Sequence, residues 1–271
     1  MTFITIAISA CTLFLLAVAI SWILGWANIK FKVVVNPKIE EVLNALPGAN
    51  CGGCGYVGCS DYAAAVVDNN VPVNRCTVGG ESCANVVARI MGVDAGQMLK
   101  SYAIVHCGSK LYERLLCNDY HGEKSCIGAS QVAGIQGCTY GCLGLGDCIE
   151  ACKYDAIHVT DGLATVDYDK CIGCGACARV CPRGIITIVP FNENSIPVVA
   201  CSNKDTGKES REVCQKACIG CKACSKISDI FIVEGTLSRA DYSSCNASKY
   251  EETSQAKEKC PTKCIRFIGR M

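Results

Sequence analysis

The chain has 271 residues, a formal net charge of +1 and 25 cysteines. So even a charge balance gives no strong pull toward nucleic acid or an anionic surface. Cysteine at this density leaves two classes, a disulfide scaffold in a small secreted domain or metal ligation in a reducing compartment, and spacing decides between them.

The first element is apolar. No charged side chain stands between Met1 and Lys30, and Ile4 to Trp26 reads ITIAISACTLFLLAVAISWILGW. Roughly 20 such residues cross a hydrocarbon core of ~30 Å as a helix. Trp22 and Trp26 suit the interface, and Lys30, Lys32 and Lys38 place the exit end in the cytoplasm. A cleaved signal peptide would need a basic start and a shorter apolar core. Residues 1–29 therefore read as a transmembrane anchor, with Cys11 as a small apolar filler.

Residues 30–97 read as a small helical domain. An amphipathic helix is expected over Lys38–Leu46, ended by Pro47-Gly48. Another is expected over Ser60–Asp68, capped by Ser60 or Asp61, and a third over Ala84–Met91. Between them lies Cys51-x2-Cys54-x4-Cys59, on a loop rich in glycine. Cys59 opens a helix whose N-terminus can face an anionic group. The fourth ligand is Cys76 or Cys83, and zinc is the competing occupant. Residues 98–135 carry Cys107, Cys117 and Cys126 without a clear period and read as a connector.

An internal repeat follows. Residues 148–190 and 224–268 share a cysteine group, a short β-patterned pair around a glycine, Asp-Tyr, a cysteine and a later Cys-Pro. In the first copy, Cys171-x2-Cys174-x2-Cys177-x3-Cys181-Pro182 is the bacterial ferredoxin run, whose fourth cysteine ligates the other cluster of a pair. Three thiolates on a glycine-bearing loop can face one iron–sulfur cube, while backbone N–H groups offset its charge. Zinc prefers two separated pairs. The partner run, Cys138-x3-Cys142-x5-Cys148-x3-Cys152, has longer loops. Crossed ligation then predicts one cluster on Cys138, Cys142, Cys148 and Cys181, and another on Cys171, Cys174, Cys177 and Cys152, within a domain at 136–192.

The second copy, at 193–271, has lost ligands from one cluster only. Ser228 stands at a fourth position, and NASKYEETSQAKEK replaces the middle cysteines after Cys245. The surviving set is Cys218, Cys221, Cys224 and Cys260. The plain reading of Cys83, Cys107, Cys117, Cys126, Cys201, Cys214, Cys245 and Cys264 is small buried hydrophobes or remnants. Cys107, Cys126, Cys201 and Cys214 are also available for a further cluster. His106, His121 and His158 are isolated. No dinucleotide fingerprint or P-loop is visible.

The anchor, NCGGCGYVGCSDYA with Cys76 sixteen residues on, GCTYGCLGLGDCIEACKYDAI, DKCIGCGACARVCP, CSNKDTGKESREVC, CIGCKAC and the final CPTKCI together resemble the B subunit of the Rnf complex. That complex is an ion-translocating ferredoxin:NAD oxidoreductase. Ser228 and the cysteines missing after Cys245 depart from the fuller family pattern. The resemblance implies Cys76 as fourth ligand of the N-terminal cluster. It also implies electron transfer between soluble ferredoxin or an NADH-linked subunit and membrane-embedded subunits, coupled to Na⁺ or H⁺ movement.

The expectation is an α+β chain: one transmembrane helix, a small helical iron–sulfur domain, then ferredoxin-like domains with short β-hairpins and helices. It carries about four [4Fe–4S] clusters. It is a single-pass protein of the cytoplasmic (inner) membrane, with its C-terminal part in the cytoplasm and the bilayer and the other subunits of a redox complex as partners. The competing classes are a corrinoid-protein partner, whose own motif is similar to C-x2-C-x4-C-x16-C, and a structural zinc module.

Overall fold

The computed structural model describes residues 2–31, 36–96 and 98–270. Lys32 of the basic flank lies outside the described residues, as does Gln97 at the expected domain edge. Helix α1 spans Thr2–Lys30. It is long and apolar enough to cross a membrane, and none of it is buried against the rest of the protein.

Three helices build the first cluster domain. Helix α2 is Pro37–Ala45, with the Asn36 side chain accepting from Lys38 N. Proline at the first helical position loses no hydrogen bond, because that N–H has no partner within the helix. Helix α3 is Cys59–Asn69 and helix α4 is Gly80–Met91. Their shared core holds Val42, Tyr62, Val66 and Val87. The Tyr62 hydroxyl donates to Pro72 O at 2.9 Å and accepts from Arg75 N at 3.2 Å.

The fold corrects two expectations in this domain. Ser60 and Asp61 do not cap α3, because Gly58 holds the cap position. Asn50 reaches in from nine residues upstream and accepts from Cys59 N at 2.8 Å, so the cap is supplied by tertiary structure. Helix α4 begins at Gly80 rather than Ala84. The turn before it winds tightly around the buried Cys76 and Cys83, where a Cβ on Gly79 would lie 2.4 Å from the Cys83 Cβ.

Each copy of the repeat is larger than the sequence shows. Strand β1 (Ser101–Val105) falls inside the expected connector. It pairs antiparallel with β4 (Ile186–Pro190), in the register Ala103 to Ile188. Between them lie α5 (Cys126–Ser130), α6 (Asp147–Glu150), the hairpin β2 (Ile157–Thr160) and β3 (Leu163–Val166), and α7 (Ala176–Val180). The second copy repeats this plan. Strand β5 (Ser195–Val199) pairs with β8 (Ile265–Gly269), enclosing α8 (Gly207–Val213), the hairpin β6 (Phe231–Glu234) and β7 (Leu237–Ala240), and α9 (Tyr250–Glu258). The hairpins stand where the alternating pattern around Gly162 and Gly235 predicts them.

The two copies share a core. Tyr102, Ile104, Val189 and Phe191 of the first pack with Ile196, Val198, Ile230 and Phe231 of the second. Tyr102 and Phe191 meet edge to face at 4.8 Å. Phe231 is 2% exposed, so its burial contributes about 1.5–3 kcal/mol. Joining the copies this way holds their cysteine loops in fixed relation.

Candidate iron–sulfur sites

The strongest ferredoxin run closes on its crossed partner. Cys171, Cys174 and Cys177 line one hollow, and Cys152 lines it from the other run. Gly173 has φ +69°, and a Cβ there would lie 2.2 Å from Ser101 O, so only glycine lets the loop pass beneath β1. Burial pushes the Cys171 thiol up, while the backbone N–H groups of Ala103 and Gly173 pull it down. These donors face the place where an anionic cluster would sit.

The damaged copy closes in the same way. Cys218, Cys221, Cys224 and Cys260 line one hollow. Cys264, for which spacing alone suggests no role, lines it too. Its Sγ lies 3.6 Å from the Cys260 Sγ. The Cys264 thiol holds Cys260 down at about 5 and Cys218 at about 6 by hydrogen bonding, against the burial that raises both. Cys264 itself is pushed far up by the same two partners, and its single S–H can serve one of them at a time. Ser228 is buried, and its hydroxyl has no hydrogen-bond partner. Cys245 is buried away from this hollow and bonds weakly to Asp241 O at 3.6 Å.

In the N-terminal domain Cys51, Cys54 and Cys59 are half-buried and Cys76 is buried. Cys76 Sγ accepts from Gly79 N at 3.3 Å, and Cys51 Sγ accepts from Gly53 N at 3.5 Å. Cys83 is arranged like Cys264. Hydrogen bonding with it lowers Cys76 to about 6 against burial, and the Cys83 thiol is also placed to donate to Ala45 O at 3.3 Å. The signal for both donors was in the sequence, as a cysteine four to seven residues beyond a ligand. Nothing local distinguishes it from a remnant.

The remaining set is only partly drawn together. Cys142 and Cys148 are buried in one cluster of side chains, and Cys181 packs half-buried against it. Arg183, two residues past Cys181, donates to Thr139 O and ties the two runs. Burial pushes Cys148 up to about 12, and the nearby thiols of Cys142, Cys126 and Cys177 add to the shift. Cys138 faces elsewhere: the thiols that add to its burial-raised pKa are those of Cys107 and Cys214. His106 is a satisfied core histidine, with Nε2 2.8 Å from Thr187 Oγ1 and Nδ1 3.2 Å from Val199 O.

Among the described residues no three His, Cys, Asp or Glu side chains converge as ligands of a single metal ion. In the Cys171 and Cys218 sets the thiols stand around hollows, with backbone N–H groups among them and glycine where a Cβ would collide. That arrangement fits a cube of iron and sulfide held from its corners. The chain is thus an iron–sulfur electron-transfer protein with a membrane-length helix at its N-terminal end.

Comparison with known proteins narrows this class. The family model "Putative Fe-S cluster" matches residues 46–78, and the "4Fe-4S binding domain" model matches residues 164–187. The chain is 42% identical over 239 residues to the B subunit of the Na⁺-translocating ferredoxin:NAD⁺ oxidoreductase complex of Acetobacterium woodii, covering 87% of this chain and 70% of that one. It is 37% identical to the B subunit of the ion-translocating oxidoreductase complex of Methanosarcina acetivorans, over 78% of this chain and 80% of that one. It is 35% identical to the B subunit of the proton-translocating ferredoxin:NAD⁺ oxidoreductase complex of Clostridium ljungdahlii, over 91% and 87%. The chain belongs to the family of B subunits of ion-translocating ferredoxin:NAD⁺ oxidoreductase complexes, the Rnf complexes. It is an electron-transfer component of a membrane-associated complex and carries [4Fe–4S] clusters.

Proposed function

We propose that this chain is a wire that relays electrons between soluble ferredoxin, or an NADH-linked subunit, and the membrane-embedded subunits of its complex. The complex couples that transfer to Na⁺ or H⁺ movement. The clusters supply one-electron chemistry, and the protein sets their potentials through burial and hydrogen bonds to sulfur.

The ligands are Cys51, Cys54, Cys59 and Cys76 in the domain at 30–97, and Cys171, Cys174, Cys177 and Cys152 in the first ferredoxin-like copy. Cys142, Cys148 and Cys181 hold another cluster there, for which the sequence offers Cys138. Cys218, Cys221, Cys224 and Cys260 serve the second copy. The anchor sits in the bilayer with the cluster domains on the cytoplasmic side, since Lys30 and Lys38 flank its exit end.

One observation carries the reading. The N-terminal loop lies directly on the Cys174 loop, where a Cβ on Gly53 would be 3.2 Å from Cys174 O. Cys177 in turn neighbours Cys148. Ligand loops that touch in series are what electron transfer between clusters needs.

The test is iron and labile-sulfide analysis of anaerobically purified full-length protein, followed by rapid-mixing reduction with reduced ferredoxin. Bleaching of the cluster absorbance by ferredoxin is the expected result. Protein that holds zinc and no sulfide, or clusters that ferredoxin cannot reduce, would overturn the reading.

A further inference from the structure

Four cysteines, three of them outside the ferredoxin runs and the fourth at the head of the run at 138–152, occupy matching places in the two copies. Cys107 follows β1 in Val105-His106-Cys107, and Cys201 follows β5 in Val199-Ala200-Cys201. Cys138 precedes Cys142 with the same three-residue gap by which Cys214 precedes Cys218. The shared core brings these places together. Cys107 and Cys201 are joined through their neighbours: the Ser202 hydroxyl donates to His106 O at 3.0 Å, and a Cβ on Gly108 would lie 3.0 Å from the Ala200 Cβ. Cys138 and Cys214 are joined through the extended segment at Leu115. Leu115 N donates to Val213 O at 2.9 Å, and Leu115 O accepts from Gly137 N at 2.8 Å.

Asn203 links the two pairs. It is 1% exposed, its backbone N–H points at Cys201 Sγ at 3.5 Å, and its amide nitrogen points at Cys138 Sγ at 3.7 Å. The copies also share a more telling contact. Cys142 N donates to Cys107 Sγ at 3.5 Å, and Cys218 N donates to Cys201 Sγ at 3.2 Å. In both copies the cysteine at the aligned position, Cys142 or Cys218, offers its N–H to a sulfur outside its run.

We infer that Cys107, Cys138, Cys201 and Cys214 bind a further [4Fe–4S] cluster at the junction of the two copies, and that Cys126 replaces Cys138 on the cluster of Cys142, Cys148 and Cys181. This rests on the iron–sulfur reading above. The reassignment follows the repeat. Cys218, Cys221 and Cys224 align with Cys142, Leu145 and Cys148, so the first copy lacks its second ligand at Leu145. Cys126 is drawn to that gap, because its N–H donates to Asp147 Oδ1 at 2.6 Å, beside Cys148.

The junction also holds an uncompensated cation. Arg114 is 7% exposed and donates to the carbonyls of Cys142 and Gly162. Its Nε has no hydrogen-bond partner, and among the described residues no carboxylate pairs with it. The Arg114 backbone pairs with that of Cys214 in an isolated antiparallel β-bridge. A buried guanidinium without a counter-ion is costly, and anionic clusters on either side of Cys142 would supply the missing charge. The new cluster stands between the Cys142 set and the Cys218 set, so it completes the wire from one copy to the other.

The test counts iron and labile sulfide in full-length, anaerobically reconstituted protein. Wild-type chain binds about twenty iron atoms rather than about sixteen. Cys107→Ala, Cys214→Ala and Cys126→Ala each lose about four. Pairing then separates ligation from misfolding. Cys107→Ala with Cys214→Ala loses no more than either alone, whereas Cys107→Ala with Cys126→Ala loses about eight. Wild-type protein at about sixteen iron atoms, or a Cys107→Ala, Cys214→Ala pair that loses two clusters, overturns the inference. Protein with no sulfide at all overturns the iron–sulfur reading instead.

Discussion

The Arg179 guanidinium donates to Cys51 O at 2.7 Å, across 128 residues of chain. Its other terminal nitrogen donates to Cys174 O at 3.3 Å. One side chain on α7 therefore ties a ligand loop of the N-terminal domain to a ligand loop of the first ferredoxin-like copy. Tyr154 sits beside the same junction. Its pKa is raised by burial, then by the thiols of Cys174, Cys51, Cys152 and Cys76. The contact between domains is made at the clusters, so domain docking and electron transfer depend on the same few groups.

Arg179→Gln tests that dependence. Losing these two hydrogen bonds weakens docking by about 1–3 kcal/mol, but neither bond involves a ligand sulfur. The expected outcome is unchanged iron content, faster hydrogen exchange in residues 50–58 and slower electron transfer to the N-terminal cluster. Loss of iron in Arg179→Gln would show that the contact builds a site rather than joining two.

The damaged repeat gives a paired test. Cys260 lines the second copy's hollow and Cys245 does not. Cys260→Ala is expected to lose about four iron atoms per chain and Cys245→Ala none. Iron loss from Cys245→Ala would require a different ligand set in this copy.

Cys264 is assigned a tuning role. A thiol that donates its proton to a ligand sulfur stabilises the more negative, reduced cluster. Cys264→Ala keeps its iron, and the potential of that cluster falls. A hydrogen bond worth about 0.5–1.5 kcal/mol corresponds to roughly 20–60 mV for one electron. A redox titration followed by electron paramagnetic resonance reads the shift, and an unchanged potential would remove the role.

Gly173→Ala probes the loop under β1. The added methyl meets Ser101 O in a left-handed backbone region that disfavours side chains. Strain of about 1–2 kcal/mol adds to an overpacking cost of about 1–3 kcal/mol. The expected result is a lower thermal midpoint and partial loss of the Cys171 cluster. Gly184→Ala is the control for strain alone, since its φ is also positive but its Cβ would meet open space.

The sequence by itself determined the elements whose information is local. The anchor shows in an unbroken apolar run, and the hairpins in alternation around Gly162 and Gly235. The ligand loops at 171–181 and 218–224 show because three thiols on one tight turn must be close in sequence to be close in space. Only the tertiary structure decided what depends on separation along the chain. Strand β1 at 101–105 carries no signal of its own until the distant β4 at 186–190 pairs with it. The cap of α3 comes from Asn50, outside the helix. In the sequence Cys107, Cys201 and Cys214 look like scattered remnants and Cys138 like a member of the run at 138–152, because nothing local relates the four. They meet only because the two copies bury one hydrophobic core between them, and burial of apolar surface has no sequence direction and so brings together segments that spacing rules cannot connect.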